Sequence, residues 1–473
     1  MTVAELLAAA VEEWGARDFL VDETGDAWSF AATAERARRA ASGLSARGVG
    51  AGDRVALMAD NSREFVAAWL GVALSGAAVV PLSTVSAPPE VAARTALAKT
   101  KLLVDDALVA ELMRNDAAAS FSSVDHDAVA QILFTSGTTG VAKAAAVSHV
   151  SLVAHTRNVA RTVGLGPDDV ILGALPLTHS FGCRMAMLLA LATGARLVVM
   201  RRFDAARALA LLDARGVTFW PAVPTMLAAV CAAEHDAGPT PRALGWVLSA
   251  GAPLADALCR RAEQRLGCEV RQGYGLTEAS FSTIDAPPAP RTIGCVGRPV
   301  AGVEVRIAAD GEVEVRGPHR MLGYLDDAAA TAALIDGDGW LRTGDVGRLD
   351  GEGRLWIVDR TKDLVIRGGN NVYPSEVEAA LAAHAAVADV AVVGRSDDYF
   401  GEEIVAVVVV RAGHTVSVAE LAAFARARIA ATKVPREFAF VDALPLGPSG
   451  KVQKRALRAA VADGTLPTAK APK

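Results

Sequence analysis

Paired cysteines, basic runs and long apolar spans are absent from this sequence of 473 residues. Its five cysteines stand far apart without C-x-x-C spacing, and its eight histidines show no zinc-like spacing. We therefore expect free thiols in a reducing compartment rather than a disulfide framework or a Cys/His metal site. The net charge of -5, without any run of Lys or Arg, argues against a nucleic-acid surface.

No stretch has the properties of a signal peptide or a membrane span. The N-terminus lacks a basic segment, and Glu12 and Glu13 interrupt its short apolar run. The uncharged stretch 65–86 contains Gly71, Gly76 and Pro81, which favours a buried helix followed by a strand. We expect a soluble cytoplasmic protein that does not bind a membrane, and either a monomer or a homodimer.

Apolar strands alternate with helical patterns over the first part of the chain. This order predicts an α/β fold whose parallel-type sheets are covered by helices on both faces. From about residue 291, alternating strands separated by glycine-rich turns predict a β-rich subdomain at 291–361. The charged bridge 359–363 marks a domain boundary, so we predict a large domain of residues 1–361 and a small α+β domain of residues 362–473.

The stretch 132–143 carries the strongest chemical signal. An apolar strand runs into small residues and then a lysine, and the residues concerned are Thr135, Ser136, Gly137, Thr138, Thr139, Gly140 and Lys143. Bare backbone N–H groups and hydroxyls in such a loop can converge on one anion, and the lysine adds positive charge. The stretch therefore predicts a phosphate-binding loop, although its spacing differs from that of a P-loop.

This loop resembles the T-S-G-T-T-G-x-P-K-G signature of the AMP-forming adenylating enzymes. That superfamily contains acyl-CoA synthetases, peptide-synthetase adenylation domains and luciferases. Ala142 and Ala144 replace the usual Pro and Gly, which affects loop geometry but neither the charge nor the donors. Further motifs match in the family's order over nearly the whole chain. The resemblance implies ATP and Mg²⁺ as cofactors and a small C-terminal domain that moves.

The resemblance also assigns the residues that contact the nucleotide. In the predicted loop 272–278, Tyr274 stacks on adenine, Thr277 contacts the α-phosphate and Glu278 binds Mg²⁺. Asp345 and Arg360 match the residues that contact ribose, although Arg360 could instead form a surface ion pair with an adjacent aspartate, Asp359 or Asp363. The remaining predicted nucleotide contacts are Ala250, Gly251, Gly273 and Gly275.

An acid pocket is implied next to these residues. His179 matches a residue that closes the pocket before the second step, with a satisfied buried histidine as the alternative. Arg184 could meet a second carboxylate or another polar group of the substrate, or it could pair with a surface acid, and we favour the surface pairing. The pocket residues are His179, Phe181, Gly182, Arg184, Trp220, Ala252 and Ser280, with Ala250 and Gly273 at its border.

Three further motifs place function in the C-terminal domain. Lys451, in a Pro-Ser-Gly-Lys loop, matches the catalytic lysine that accompanies adenylate formation. Gly368 and Gly369 match the segment that lets a pantetheine arm pass close to the backbone. Lys362 matches the hinge about which the domain turns.

Together these residues predict an AMP-forming acid–thiol ligase. ATP and a carboxylic acid would give an acyl-adenylate and pyrophosphate, and CoA would then displace AMP. One alternative is an adenylating enzyme that passes its acid to a carrier protein, an amine or another acceptor. A non-enzymatic alternative is a nucleotide-binding regulator without turnover. The sequence does not identify the acid.

Overall fold

The computed structural model describes residues 1–115, 124–136, 142–233, 239–360, 363–368, 370–446 and 452–471, without the side chains of Ser136 and Asn371. Two compact units are present. The first comprises Met1–Arg306, Glu314–Arg342 and Gly351–Leu355, and the second comprises Ile307–Val313, Thr343–Asp350 and Trp356–Lys473. The predicted boundary between residues 361 and 362 lies outside the described residues.

The first unit contains a nine-stranded sheet that is parallel in its centre. Its strands have the order β14-β13-β12-β11-β10-β8-β9-β1-β2. They are β1 Asp18–Val21, β2 Ala27–Ser29, β8 Val170–Gly173, β9 Arg196–Val199, β10 Phe219–Ala222, β11 Trp246–Ser249, β12 Glu269–Leu276, β13 Ser280–Ile284 and β14 Arg298–Pro299. The central pairs are parallel, whereas β2, β13 and β14 add antiparallel edges. The central strands are buried throughout, as both faces of a parallel sheet require.

A second sheet of the first unit carries the ends of the phosphate loop. Its order is β17-β7-β6-β4-β3-β5. Its strands are β3 Arg54–Met58, β4 Ala78–Pro81, β5 Leu102–Asp105, β6 Val129–Ser136, β7 Ala142–Ser148 and β17 Gly323–Tyr324. Strands β3, β4, β5 and β6 pair in parallel, and β7 pairs antiparallel with both β6 and β17.

Helices accompany these sheets and share one large apolar core with them. They are α1 Val3–Trp14, α2 Phe30–Ser45, α3 Arg63–Leu74, α4 Pro88–Ala98, α5 Asp106–Met113, α6 His149–Val163, α7 Ser180–Gly182, a π-helical segment Cys183–Leu188, α8 Leu189–Thr193, α9 Ala205–Ala214, α10 Pro224–Ala232, α11 Asp256–Leu266 and α12 Ala328–Leu334. Capping fixes several starts; for example, the Ser148 hydroxyl accepts from the Ser151 N–H at the start of α6. None of the helices that the structure describes is long and apolar enough to cross a membrane.

The second unit ends in an α+β arrangement with its own apolar core. Its sheet has the order β21-β20-β23-β24-β25, with β22 also paired to β23. The strands are β20 Val365–Arg367, β21 Asn370–Val372, β22 Val387–Asp397, β23 Gly401–Val410, β24 Glu437–Val441 and β25 Ala469–Lys470. The helices are α13 Pro374–Ala382, α14 Val418–Arg426, a 3₁₀ turn Ala431–Lys433 and α15 Lys454–Ala462. The remaining strands, of which each unit contains parts, are β15 Glu304–Ile307, β16 Glu312–Arg316, β18 Leu341–Leu349 and β19 Leu355–Arg360.

The predicted fold class is confirmed, with one local correction that matters for the site. The segment after residue 271 was expected to be a loop, but β12 continues to Leu276 and forms a hairpin with β13. Pairing with β13 supplies hydrogen bonds that the local sequence pattern does not reveal. Tyr274 and Gly275 therefore lie on a strand, and only Thr277 and Glu278 belong to the turn that follows.

Candidate active site

The two ends of the phosphate loop lie opposite each other on a hairpin. In the antiparallel pair of β6 and β7, Thr135 is the register partner of Lys143. The predicted residues between them, Gly137, Thr138, Thr139 and Gly140, lie outside the described residues, as does the side chain of Ser136. What the structure places is therefore one hydroxyl and one ammonium group on neighbouring strands.

Tyr324 connects these two residues to Glu278. Its hydroxyl donates to Glu278 Oε1 at 2.8 Å and is also hydrogen-bonded to the side chain of Thr135. Lys143 Nζ lies 4.9 Å from the centroid of the Tyr324 ring. Burial, and next the Glu278 carboxylate, raise the pKa of Tyr324 far above its ordinary value, so the phenol stays protonated as a donor. We call Thr135, Lys143, Glu278 and Tyr324 the Tyr324 cluster.

Sequence reasoning identified three members of this cluster and missed Tyr324. The missing residue is carried by the two-residue strand β17, which pairs with β7 so that Tyr324 lies opposite Ala145. The chain has four tyrosines, and Tyr324 follows a glycine as Tyr274 does. The small number of tyrosines could have drawn attention to Tyr324, but it does not predict that the strand of Tyr324 pairs with a strand nearly 180 residues earlier.

Glu278 is suited to hold a cation that is bound mainly by phosphate oxygens. Its backbone carbonyl accepts from the Met321 N–H at 2.7 Å, and its carboxylate is oriented by the Tyr324 hydroxyl. Among the described residues there is no group of three or more His, Cys, Asp or Glu that could hold a metal ion alone. One oriented carboxylate fits Mg²⁺, which commonly takes one or two carboxylates and completes its shell with phosphates and water.

The hairpin of β12 and β13 fixes the position of Tyr274, which is half-buried. A bulge follows Tyr274, because the register shifts between Tyr274 and Gly275. A Cβ on Gly275 would overlap the backbone carbonyl of Ser280, so only glycine permits this close approach. Ser280 itself has φ +48° and a buried hydroxyl without a described partner. Such local strain is typical of a ligand-binding position.

The predicted acid-pocket residues fall into two groups. Phe181 packs its ring against Phe281 with centroids 5.1 Å apart, and a Cβ on Gly273 would lie 2.9 Å from that same Phe281 ring. These contacts bring the segment after His179 to the β12–β13 hairpin. A Cβ on Gly182 would overlap the Pro176 carbonyl, so a larger residue would displace this segment.

The second group lies at the ends of β10 and β11. Trp220 is fully buried within β10, opposite Val247. Ala250 is buried, Ala252 is exposed, and Gly251 between them has φ +87°. The described contacts do not join this group to the Tyr324 cluster, so its role stays a prediction.

His179 is exposed, which differs from the alternative of a buried, satisfied histidine. Its Nδ1 accepts from the Phe181 N–H at 3.2 Å and so caps the first turn of α7. This bond orients the imidazole at the start of the segment that leads to Arg184.

Arg184 corrects a further expectation. The surface pairing that we favoured is wrong, because Arg184 is only 4% exposed. The helical segment is apolar on all sides, so an arginine within it is carried into the interior.

The second unit brings Asp345 and Arg360 together. Arg360 Nε lies 3.1 Å from Asp345 Oδ1, and Asp345 is 4% exposed. The Asp345 N–H donates to the Thr343 hydroxyl, and the Gly344 N–H donates to Glu312 Oε1 at 2.7 Å. Arg360 thus pairs with the predicted ribose-binding carboxylate.

Other predicted residues of this unit are only partly described. The Gly368 N–H donates to the Phe400 carbonyl at 2.7 Å, and Gly368 has φ +56°. Gly369, Lys362 and Lys451 lie outside the described residues. Lys454, close to Lys451 in sequence, forms a 2.7 Å ion pair with Glu378 and so has a structural role.

The end of the phosphate-loop hairpin and the oriented Glu278 lie in the first unit, and the Asp345–Arg360 pair lies in the second; each fits the nucleotide-binding role that its motif predicts. The chain belongs to the AMP-binding enzyme family, whose model matches residues 7–325, and residues 376–451 match the C-terminal domain of AMP-binding enzymes. The resemblance stated from the motifs is therefore confirmed.

Curated relatives are similar over almost their whole length. A 3-[(3aS,4S,7aS)-7a-methyl-1,5-dioxo-octahydro-1H-inden-4-yl]propanoyl:CoA ligase of Rhodococcus jostii (strain RHA1) is 35% identical, covering 97% of this chain and 98% of the relative. A 4-coumarate–CoA ligase of Oryza sativa subsp. japonica is 34% identical, covering 95% and 92%. Family and relatives together make the chain an AMP-forming acyl-CoA synthetase.

Solved structures agree with this assignment. ATP-bound MatB from Rhodopseudomonas palustris is 30% identical with a TM-score of 0.90, covering 98% of this chain and 99% of that chain. The o-succinylbenzoate CoA synthetase MenE from Bacillus subtilis, in complex with the acyl-adenylate OSB-AMP, is 30% identical with a TM-score of 0.88, covering 96% and 97%.

Proposed function

We propose that this enzyme converts a carboxylic acid, ATP and CoA into an acyl-CoA, AMP and pyrophosphate through an acyl-adenylate. The Tyr324 cluster is the observation that carries the proposal. It gathers an ammonium group, a hydroxyl and an oriented carboxylate from three distant segments, at the ends of the loop whose composition suits phosphate. Charge-assisted donors of this kind hold triphosphate oxygens and offset the charge that develops when a carboxylate attacks the α-phosphorus.

Each residue of the site then has a defined role. Lys143 and the loop hydroxyls bind phosphate, Glu278 holds Mg²⁺, and Thr277 contacts the α-phosphate. Tyr274 supplies a ring for adenine, and Asp345 accepts from the ribose hydroxyls while Arg360 orients it. Tyr324 orients Glu278 and therefore acts as a positioning residue.

The second half-reaction requires a different arrangement of the C-terminal domain. We infer that residues 362–473 turn about Lys362, so that Lys451 serves adenylation and the Gly368–Gly369 segment serves thioester formation. Support comes from the motif matches and from the neighbouring Lys454, which is held in an ion pair with Glu378. A cytoplasmic location and the choice between monomer and homodimer stay predictions.

CoA is the acceptor that the relatives favour, since those named above are CoA ligases. Their acids are diverse, and a sulfoacetate–CoA ligase of Cupriavidus necator and an indoleacetate–CoA ligase of Aromatoleum aromaticum are also relatives. The identity of the acid must therefore be inferred from the pocket residues of this chain.

Mass spectrometry of complete reactions tests the proposal. The purified enzyme is incubated with ATP, Mg²⁺, CoA and a panel of aliphatic, aromatic and dicarboxylic acids. We expect acyl-CoA and AMP in equal amounts for at least one acid, and no product without ATP. AMP formation that never depends on CoA, with acyl transfer to an amine or a carrier protein instead, would support the alternative acceptor.

A further inference from the structure

Arg184 is a buried cation whose guanidinium lacks described partners for most of its polar atoms. It is 4% exposed, and its Nε and one terminal nitrogen are buried without a hydrogen-bond partner. The described residues contain no carboxylate within ion-pair distance of it. Burial lowers the pKa of Arg184 to about 10, so the side chain is still charged at neutral pH.

Two buried histidines interact electrostatically with Arg184, and they also carry polar atoms without described partners. Helix α6, which carries His155, packs against the segment that carries Arg184. His155 of α6 has both ring nitrogens unpartnered, and His319 has Nδ1 unpartnered, while His319 Nε2 is 3.1 Å from the Ser282 hydroxyl. The two rings are 5.6 Å apart. Burial lowers the pKa of His319 to about 3 and that of His155 well below its ordinary value, and the Arg184 charge lowers both further. We call Arg184, His155 and His319 the Arg184 cluster.

A cluster of this kind is costly unless something completes it. Buried polar groups are almost always hydrogen-bonded, and buried charges are almost always paired. Here five nitrogens of three side chains have no partner among the described residues. Each of the three side chains can donate to an oxygen anion, since a neutral imidazole donates from one nitrogen and a guanidinium from all three. An anion is therefore the ligand that satisfies the cluster.

The cluster adjoins the segment that the reaction already uses. Arg184 follows His179 by five residues and Phe181 by three, which is about one helical turn. Phe181 packs on Phe281, and the next residue of β13, Ser282, bonds His319. The same hairpin carries Tyr274. The segment after His179, the β12–β13 hairpin and the Arg184 cluster thus form one contiguous region. Its π-helical turn at Cys183–Leu188 is a feature frequently found at functional sites.

We propose that the Arg184 cluster binds a second anionic group of the acid substrate, a carboxylate or a sulfonate, so that the enzyme selects dianionic acids. The inference rests on the proposed function, because it names the substrate class of that site. Arg184 supplies charge-assisted donors, and His155 and His319 supply neutral donors that add no further buried positive charge beside it.

Matched acid pairs test the selection. Each α,ω-dicarboxylate of three to eight carbons is compared with its half methyl ester, which has nearly the same shape but lacks the second charge. A parallel series of ω-sulfonated carboxylic acids separates sulfonate from carboxylate. We expect at least one dianionic acid to exceed its monoanionic half ester by about 100-fold in kcat/KM, as expected of a site built around a buried charge.

Variants then assign the selection to Arg184. Arg184→Met should reduce the ratio of dianion to half ester by about 100-fold, whereas Arg184→Lys should keep part of it. Arg260→Met is the matched control, because Arg260 is exposed on α11 and its loss removes the same charge. Thermal stabilisation by the dicarboxylate in the presence of AMP gives a second readout that does not require turnover. It should vanish in Arg184→Met and persist in Arg260→Met.

The outcomes separate this inference from the proposed function. If half esters or monocarboxylates are the better substrates and Arg184→Met leaves the ratio unchanged, the second-anion site is refuted while the ligase activity stands. If no acid gives acyl-CoA, the proposed function fails first. If Arg184→Met does not fold, an unchanged preference in Arg184→Lys together with no thermal stabilisation of the wild type by any dianion refutes the inference.

Discussion

The Tyr324 cluster and the Arg184 cluster are both polar groups within the first unit, yet they differ in one respect. In the Tyr324 cluster, Lys143 lies over the tyrosine ring and Glu278 accepts from its hydroxyl. In the Arg184 cluster, nitrogens of all three side chains are buried without described partners. The first is complete before substrate arrives, whereas the second needs a ligand to become complete.

This difference suggests that the two clusters serve different substrates. Groups that serve ATP, which is common to every turnover, are held in place by the protein. Groups that serve the variable acid are left open for it. Substitutions in the Tyr324 cluster should therefore affect all acids alike, whereas Arg184 substitutions should change the ranking of acids.

Loss of Lys451 should have the largest effect. Lys451→Ala should lower adenylate formation by at least ~10³-fold with every acid, because the transition-state charge loses its compensating ammonium. Thioester formation from supplied acyl-adenylate should persist. Rapid-quench assays of the two half-reactions measure this, with Lys470→Ala as an exposed control. Equal loss in both half-reactions would contradict the assignment.

Glu278→Gln should lower adenylation by about 10²-fold for dianionic and monoanionic acids in the same proportion. The variant keeps the shape of the side chain but removes the charge that holds Mg²⁺. Steady-state kinetics at several Mg²⁺ concentrations should show a raised Mg²⁺ requirement, and Glu13→Gln, on the surface of α1, is the matched control. If the loss of activity in Glu278→Gln differed between acids, the Tyr324 cluster would not serve ATP alone, which would contradict the proposed difference between the two clusters.

Tyr324→Phe removes one hydrogen bond to Glu278 and should have a smaller effect. We expect about a tenfold loss of kcat/KM, corresponding to roughly 1.4 kcal/mol, again equal for all acids. Tyr399→Phe, whose side chain is 86% exposed, should match the wild type. Because Tyr324 acts through Glu278, the double variant with Glu278→Gln should be little worse than Glu278→Gln alone. Additive losses would show that Tyr324 acts independently.

A further prediction concerns stability and its dependence on pH rather than catalysis. His319 has a folded-state pKa of about 3, lowered by burial and then by Arg184 and Arg320, whereas an unfolded histidine titrates near 6.5. Between these values only the unfolded chain binds the proton, so stability falls as the pH falls from about 6.5 toward 3, by up to about 1.4 kcal/mol per pH unit for this group.

His319→Gln should make the fall of the free energy of unfolding with decreasing pH shallower. Urea unfolding between pH 7.5 and 5 measures the slope, with His126→Gln, an exposed histidine of the same unit, as the control. An unchanged slope would mean that the pKa of His319 is not lowered in the folded protein.

Sequence reasoning predicted much of the nucleotide side and little of the acid side. Thr135, Lys143 and Glu278 stand in short motifs whose chemistry is local, so their grouping could be anticipated. Tyr324 could not be, because its position depends on the pairing of β17 with β7, a contact between segments far apart in the chain.

Arg184 is a residue that sequence reasoning identified but placed wrongly. Periodicity identified an apolar helix but assigned its one charged residue to the surface, where arginines usually lie. The apolar residues around it, from Cys183 to Leu188, leave no polar face, and this was the neglected sign that the arginine is buried. Among the residues that the structure describes, the absence of a carboxylate near Arg184 is a property of tertiary packing and has no local signature.

Acid-dependent exchange of labelled pyrophosphate into ATP, measured before any CoA is added, tests the central claim most directly. We predict exchange with the preferred acid, no exchange without acid, and conversion of the accumulated adenylate to thioester and AMP when CoA is supplied. An enzyme that binds ATP yet shows no exchange with any acid, and forms no thioester when CoA is added, would contradict the account.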